Sequence, residues 1–96
     1  MENSGGKKMI IEKIHVGTVQ LNTFEISYYE IKKQDFYGIE VQERYNDKLL
    51  SQCEYFTEDE KSAKLFVERC FNGLVTHTTL LSLLDDFISV QESILI

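Results

Sequence analysis

Proline and tryptophan are both missing from this chain. Without proline no residue loses its backbone donor, and no X-Pro isomerisation slows folding, so strands and helices can run without breaks. Cysteine is scarce. Cys53 and Cys70 are the two present; they form no CxxC or other metal-type spacing and read as buried thiols. Positive charge is the minority sign, ten basic residues against sixteen acidic, giving a formal net charge of −6. A chain of this sign gains nothing from phosphate counterion release, which disfavours direct nucleic-acid binding and favours a basic partner surface. Apolar runs are short: none approaches the roughly 20 residues needed to span a bilayer, and no charged-then-apolar leader opens the sequence. The expectation is a cytoplasmic protein that does not enter a membrane. The five glycines include no phosphate-cradling cluster, and no serine sits in a nucleophile-elbow context.

What is present fits one domain. Ninety-six residues, 43% of them hydrophobic, suffice for a modest core without covalent staples. Met1 to Lys8, with Ser4-Gly5-Gly6, reads as a flexible end, leaving residues 9–96 for the fold. From Met9 to Phe56 β-branched and aromatic residues predominate, and four strands are expected, near Ile10–Gln20, Thr23–Lys33, Phe36–Tyr45 and Lys48–Phe56. Asn22, Gln34-Asp35 and Asn46-Asp47 separate them closely enough to force antiparallel neighbours. In the third strand Tyr37, Ile39 and Val41 alternate with Glu40 and Gln42; in the fourth, Leu49, Ser51, Cys53 and Tyr55 oppose Gln52 and Glu54. The second strand breaks step between Phe24, Ile26, Tyr28 and Tyr29, Ile31, which predicts a β-bulge near Tyr28-Tyr29; without one, an aromatic lies on the outer face.

After Phe56 the apolar period changes from two to 3.6. Thr57 and Glu60 have capping-box spacing, and Ala63, Phe66, Val67, Cys70, Phe71 and Leu74 form a helical stripe that Gly73 should close in a left-handed conformation. A second helix is expected from about Thr76, capped by Thr76 or Thr78 and running almost to the end of the chain. Its apolar residues, Leu80, Leu81, Leu83, Leu84, Phe87, Ile88, Val90, Ile94 and Leu95, spread over an arc of roughly 180°, against the ~100° that one sheet requires. The excess flank either packs on the first helix or contacts a partner.

Candidate chemistry is thin. His15 and His77 share no ligand spacing with each other or with the cysteines, so no metal or other cofactor is implied. Asp85 and Asp86 diverge by about 100° on a helix and do not converge on one point. Tyr28, Tyr29, Tyr37, Tyr45 and Tyr55 suggest a stacking platform, but Glu25, Glu30, Glu40, Glu43 and Glu54 deny it the basic groove that single-stranded nucleic acid needs.

Several short strings resemble a family of small uncharacterised proteins from spore-forming Firmicutes. They are Tyr28-Tyr29, Tyr37-Gly38-Ile39-Glu40-Val41, Phe56-Thr57 leading into Lys61 and Ala63, Val75-Thr76, Leu80, and Asp85-Asp86-Phe87, spread over about residues 24 to 88. The resemblance implies a cytoplasmic bacterial protein tied to regulation or development, and carries no site residues with it.

Together these readings predict an α+β fold, ββββαα, with a meander sheet and two C-terminal helices on one face. The expected function is a protein-binding or regulatory domain without catalytic activity or cofactor, self-associating as a homodimer. Its contact surface is expected at Leu83, Phe87, Val90, Ile94, Leu95 and Ile96 on the last helix and at an exposed sheet edge, with Leu65 as a secondary contact. The alternatives are a small-molecule binder or enzyme with a pocket between sheet and helices, and an acidic mimic that blocks a nucleic-acid-binding protein through Glu58, Asp59, Glu60, Asp85 and Asp86.

Overall fold

The computed structural model describes the backbone of residues 11–95 and the side chains of residues 12–89. The expected flexible start, Met1 to Lys8, lies outside the described residues, as does Ile96. The elements are β1 (Ile11–Gln20), β2 (Glu25–Lys33), β3 (Phe36–Tyr45), β4 (Lys48–Thr57), α1 (Glu60–Asn72) and α2 (Leu80–Leu95). The strands form one antiparallel sheet in the order β1-β2-β3-β4, as short connections between sequential strands dictate. Gln34 and Asn46 take the positive φ, 57° and 47°, that tight hairpins demand. This is the expected ββββαα meander.

One face of the sheet carries the core. Ile26 and Tyr28 from β2 and Ile39 and Val41 from β3 meet Ala63, Phe66, Val67 and Cys70 from α1, all of them fully buried. From α2, Leu80, Leu84 and Phe87 join the same cluster. At its centre the Phe66 ring touches Phe56 at 5.2 Å and Phe87 at 5.0 Å, in edge-on or tilted geometry. The Tyr28 hydroxyl, buried with its ring, donates to the Val75 carbonyl at 2.7 Å and so ties the sheet to the connection between the helices.

Four local expectations are corrected. The bulge lies in β1, not at Tyr28-Tyr29: His15 pairs with Tyr29 and Gly17 with Tyr28, leaving Val16 as the extra residue. An insertion in an edge strand disturbs one ladder, whereas in central β2 it would disturb two. β2 therefore keeps strict alternation and sends Tyr29 and Ile31 to the face away from the helices. Second, the cap of α1 is Asp59 rather than Thr57. Its carboxylate accepts from the Ser62 backbone N–H (3.2 Å) and hydroxyl (2.7 Å), while Thr57 still belongs to β4 and accepts from the Asp59 N–H. Third, α2 begins at Leu80, because Thr76 to Thr79 form a separate turn in which the Thr79 N–H donates to the Thr76 carbonyl at 3.2 Å.

The fourth concerns the end of α1. Gly73 has φ −95°, and the left-handed residue is Leu74, with φ 55°. The Val75 N–H donates to Cys70 O (3.0 Å) and the Leu74 N–H to Phe71 O (3.4 Å), which makes Leu74 the turning residue of a Schellman motif. A leucine there is strained and 44% exposed, so Leu74→Gly is expected to stabilise the protein by about 0.5–1 kcal/mol. Urea unfolding measures this; a loss of stability would show that the side chain contributes more packing than the backbone costs.

Candidate interaction surface

Because directly opposed residues share a face, the register fixes what lies away from the helices. Opposite Tyr29 stands Glu40, and opposite Glu40 stands Cys53. Glu40 is 8% exposed on this face, which no helix of the described residues covers. It accepts from Lys13 Nζ (3.0 Å), Gln42 Nε2 (2.9 Å) and Ser51 Oγ (2.8 Å). Burial alone would raise its carboxyl, but these three donors outweigh it and hold the group below the ordinary glutamate value. Lys13 and Lys33 lie over the rings of Tyr29 and Tyr55, and His15 tilts against Tyr29. Around Glu40 the outer face thus carries a hydrogen-bonded and ring-stacked network that draws on all four strands.

A second buried carboxylate, Glu43, is on the helix side and 1% exposed. Its Oε2 accepts the His77 backbone N–H at 2.6 Å, and its Oε1 accepts the Tyr45 hydroxyl at 2.9 Å. His77 Nδ1 is 2.9 Å from Oε1, an ion-pair distance without the alignment of a hydrogen bond. Burial again pushes the carboxyl up, and again the donors, His77 first, bring it below the ordinary value. Glu43 latches the turn before α2 onto β3. A carboxyl with a lowered folded-state pKa adds stability above its unfolded value and loses it as pH falls through the folded one. Glu40 and Glu43 both act in this direction. Glu30, raised by burial near Glu60 and Glu68 despite Lys64, acts oppositely, because its ionisation is penalised in the fold. With Glu40, Glu43 and the capping Asp59 lowered and Glu30 alone raised, the urea midpoint should hold from neutral pH to about 5 and fall below about 4.5, the ordinary glutamate range. Glu43→Gln should be less stable at pH 7 and show a shallower acid limb. A midpoint that rises on acidification would contradict this assignment.

Neither thiol is activated. Burial pushes the Cys70 thiol up to about 12. Cys53 is exposed, contrary to the expected pair of buried thiols, because the register puts it on the outer face; desolvation and the Glu40 charge raise its pKa. Among the described residues no three His, Cys, Asp or Glu side chains converge as a metal site, and no helix is long and apolar enough to cross a membrane. A cleft between the start of α1 and the sheet, lined by Glu12, Ile14, Glu30, Ile31, Lys32, Tyr37 and Glu60, holds about 90 Å³, and a shallower polar hollow at Lys32, Gln34, Asp35, Tyr37 and Glu58 holds about 330 Å³. Glu58, Asp59, Glu60, Asp85 and Asp86 are all exposed, Asp59 being engaged as the cap of α1.

The expected contact residues divide. Leu65 is 53% exposed. Leu83 is half-buried against the core. Phe87 is a core residue, 8% exposed, because its ring fills the space beside Phe56 and Phe66. Val90, Ile94 and Leu95 lie on α2, with side chains outside the described set, and Ile96 lies outside the described residues.

Sequence reasoning expected an exposed sheet edge but did not say which strand supplies it. Val41 pairs with Gln52 and Ile39 with Glu54, so the helix-facing parity of β4 is its polar one, together with Leu50. Its apolar parity, Leu49, Cys53 and Tyr55, looks outward. Leu49 is 50% exposed and Leu50 37%, one on each face of the last strand in the sheet. Edge position was the missing signal, since periodicity alone does not say which strand lacks a neighbour.

No family model, curated protein or solved structure matches this chain.

Proposed function

We propose that the protein is a small cytoplasmic protein-binding domain with a regulatory role and no catalytic activity, working as a homodimer. One observation carries the reading: the sheet ends in a ten-residue strand that exposes a leucine on each face and, among the described residues, has no neighbour on its outer side. Natural sheets blunt such edges with charge, bulges or a covering element, and an edge left open is a pairing surface. Leu65 and Leu81 are further exposed apolar residues, on the helices. Val90, Ile94, Leu95 and Ile96 are retained as proposed contacts on their helical spacing alone. No nucleic-acid partner and no cofactor enter the proposal. Sedimentation velocity of the full chain tests it: a dimer whose population grows with concentration is expected, and a single-chain species at high micromolar concentration would overturn it.

A further inference from the structure

The two edges of the sheet are unlike. β1 carries Glu12, Lys13 and His15 and is interrupted by the bulge at Val16, all devices that discourage pairing. β4 pairs with β3 without interruption from Lys48 to Tyr55, and its irregularity comes only beyond, at Phe56. Within it the run Leu49-Leu50-Ser51-Gln52-Cys53 has no charge. Among the described residues, no loop or helix backbone hydrogen-bonds to its outer side.

The charges flanking that run are arranged symmetrically about Ser51. Lys48 stands three residues before it and Glu54 three after, both of helix-facing parity. We propose, resting on the interaction-domain reading above, that a second copy of this chain pairs with β4 antiparallel about Ser51, so that Lys48 of each copy faces the partner's Glu54. Alternation of hydrogen-bonding direction allows only registers in which paired residues share parity. Centring on Leu50 would leave Lys48 opposite Gln52. Centring on Gln52 would set Leu50 against Glu54. The Ser51 register alone among these joins both charges, twice by symmetry, and it also places Leu49 opposite Cys53 on the outer face. The assembly is a closed, isologous pair with one continuous eight-stranded sheet, joined by roughly six to eight backbone hydrogen bonds. A two-fold axis through one strand pair leaves no β4 edge free, so growth stops at two copies.

The test is a charge exchange in the full chain, read by sedimentation. Lys48→Glu or Glu54→Lys alone places like charges opposite each other at both ends of the pairing, and each should weaken dimerisation at least about ten-fold. The double exchange restores opposite charges and should return the affinity to near that of the parent. A dimer indifferent to both single exchanges, or a double variant as weak as the singles, would overturn the β4 register while leaving self-association intact. A parent chain that stays single would overturn both. Cross-linking gives a second readout that tolerates a destabilised variant. In a Cys53→Ser background, Ser51→Cys places two thiols on the axis, where opposed Cα atoms lie about 4.5–5.5 Å apart, within the Cα separation that a disulfide spans. Rapid oxidative dimerisation of that variant, with Cys53 of the parent slow because it faces the partner's Leu49, supports the register. The reverse order of rates overturns it.

Discussion

Phe66→Ala is expected to cost about 3–5 kcal/mol, the range for truncating a fully buried phenylalanine. Phe66 is 0% exposed and sits where three layers of contact meet, with α1 carrying it, Phe56 of β4 on one side and Phe87 of α2 on the other. Phe56 and Phe87 also touch each other, at 5.9 Å, so removing Phe66 opens a cavity walled by rings that cannot collapse without shifting a strand and a helix. A chain of this length has a total stability of roughly 5–14 kcal/mol, so the variant loses a large share of it. Urea unfolding followed by circular dichroism measures the loss. A cost below about 1 kcal/mol would mean that α2 is not anchored through this ring.

Gly38→Ala should be nearly as damaging, for a backbone reason. A Cβ on Gly38 would run into the Glu54 carbonyl oxygen and lie 2.7 Å from Tyr55 Cα. Those are main-chain atoms of β4 and cannot swing aside as a side-chain tip can. Relief requires β4 to move off β3 just where its register shifts at Tyr37/Gly38. Overpacking ordinarily costs 1–3 kcal/mol, and a backbone collision belongs at or above the top of that range, at least about 3 kcal/mol. Gly73→Ala is the control. Its Cβ would meet nothing closer than Arg69 O at 3.3 Å, and its φ is −95°, so a change within about 1 kcal/mol is expected. Equal effects at the two glycines would show that the loss is one of chain entropy rather than of space.

The fold was legible because its signals are local. Short polar turns force a meander, the alternation in β3 names its own inner face, and the Ala63–Cys70 stripe declares a helix. Misread details lay where two local choices were nearly equivalent and tertiary contacts decided between them. Thr57 and Asp59 both cap well, and the length of β4 settled the choice. Gly73 and Leu74 both stood at the end of α1, and the six-residue hydrogen bond from Val75 to Cys70 placed the turn on the leucine. The parity break in β2 needs no bulge: the strand alternates strictly, Tyr29 and Ile31 lie on the outer face, and Tyr29 is met there by Lys13 and His15 of β1, contacts that no reading of β2 alone can reveal.

The site was less legible than the fold. The wide apolar arc of α2 is the stronger signal in the sequence, yet Phe87 from that arc is enclosed by Phe56 and Phe66. The symmetry of Lys48 and Glu54 about Ser51 was visible in the sequence all along, and it acquired meaning only when β4 proved to be the outermost strand. Glu40 and Glu43 gave no sequence signal beyond an acidic strand; their donors, Lys13, Ser51 and the His77 backbone, come from distant parts of the chain.

Amide hydrogen exchange across a dilution series tests the central claim at the backbone itself. If β4 is the meeting strand, protection from Lys48 to Glu54 should rise with protein concentration, while the core amides of α1 around Phe66 stay constant. Exchange in that segment that does not depend on concentration, in samples where dimer is present, would contradict the pairing outright.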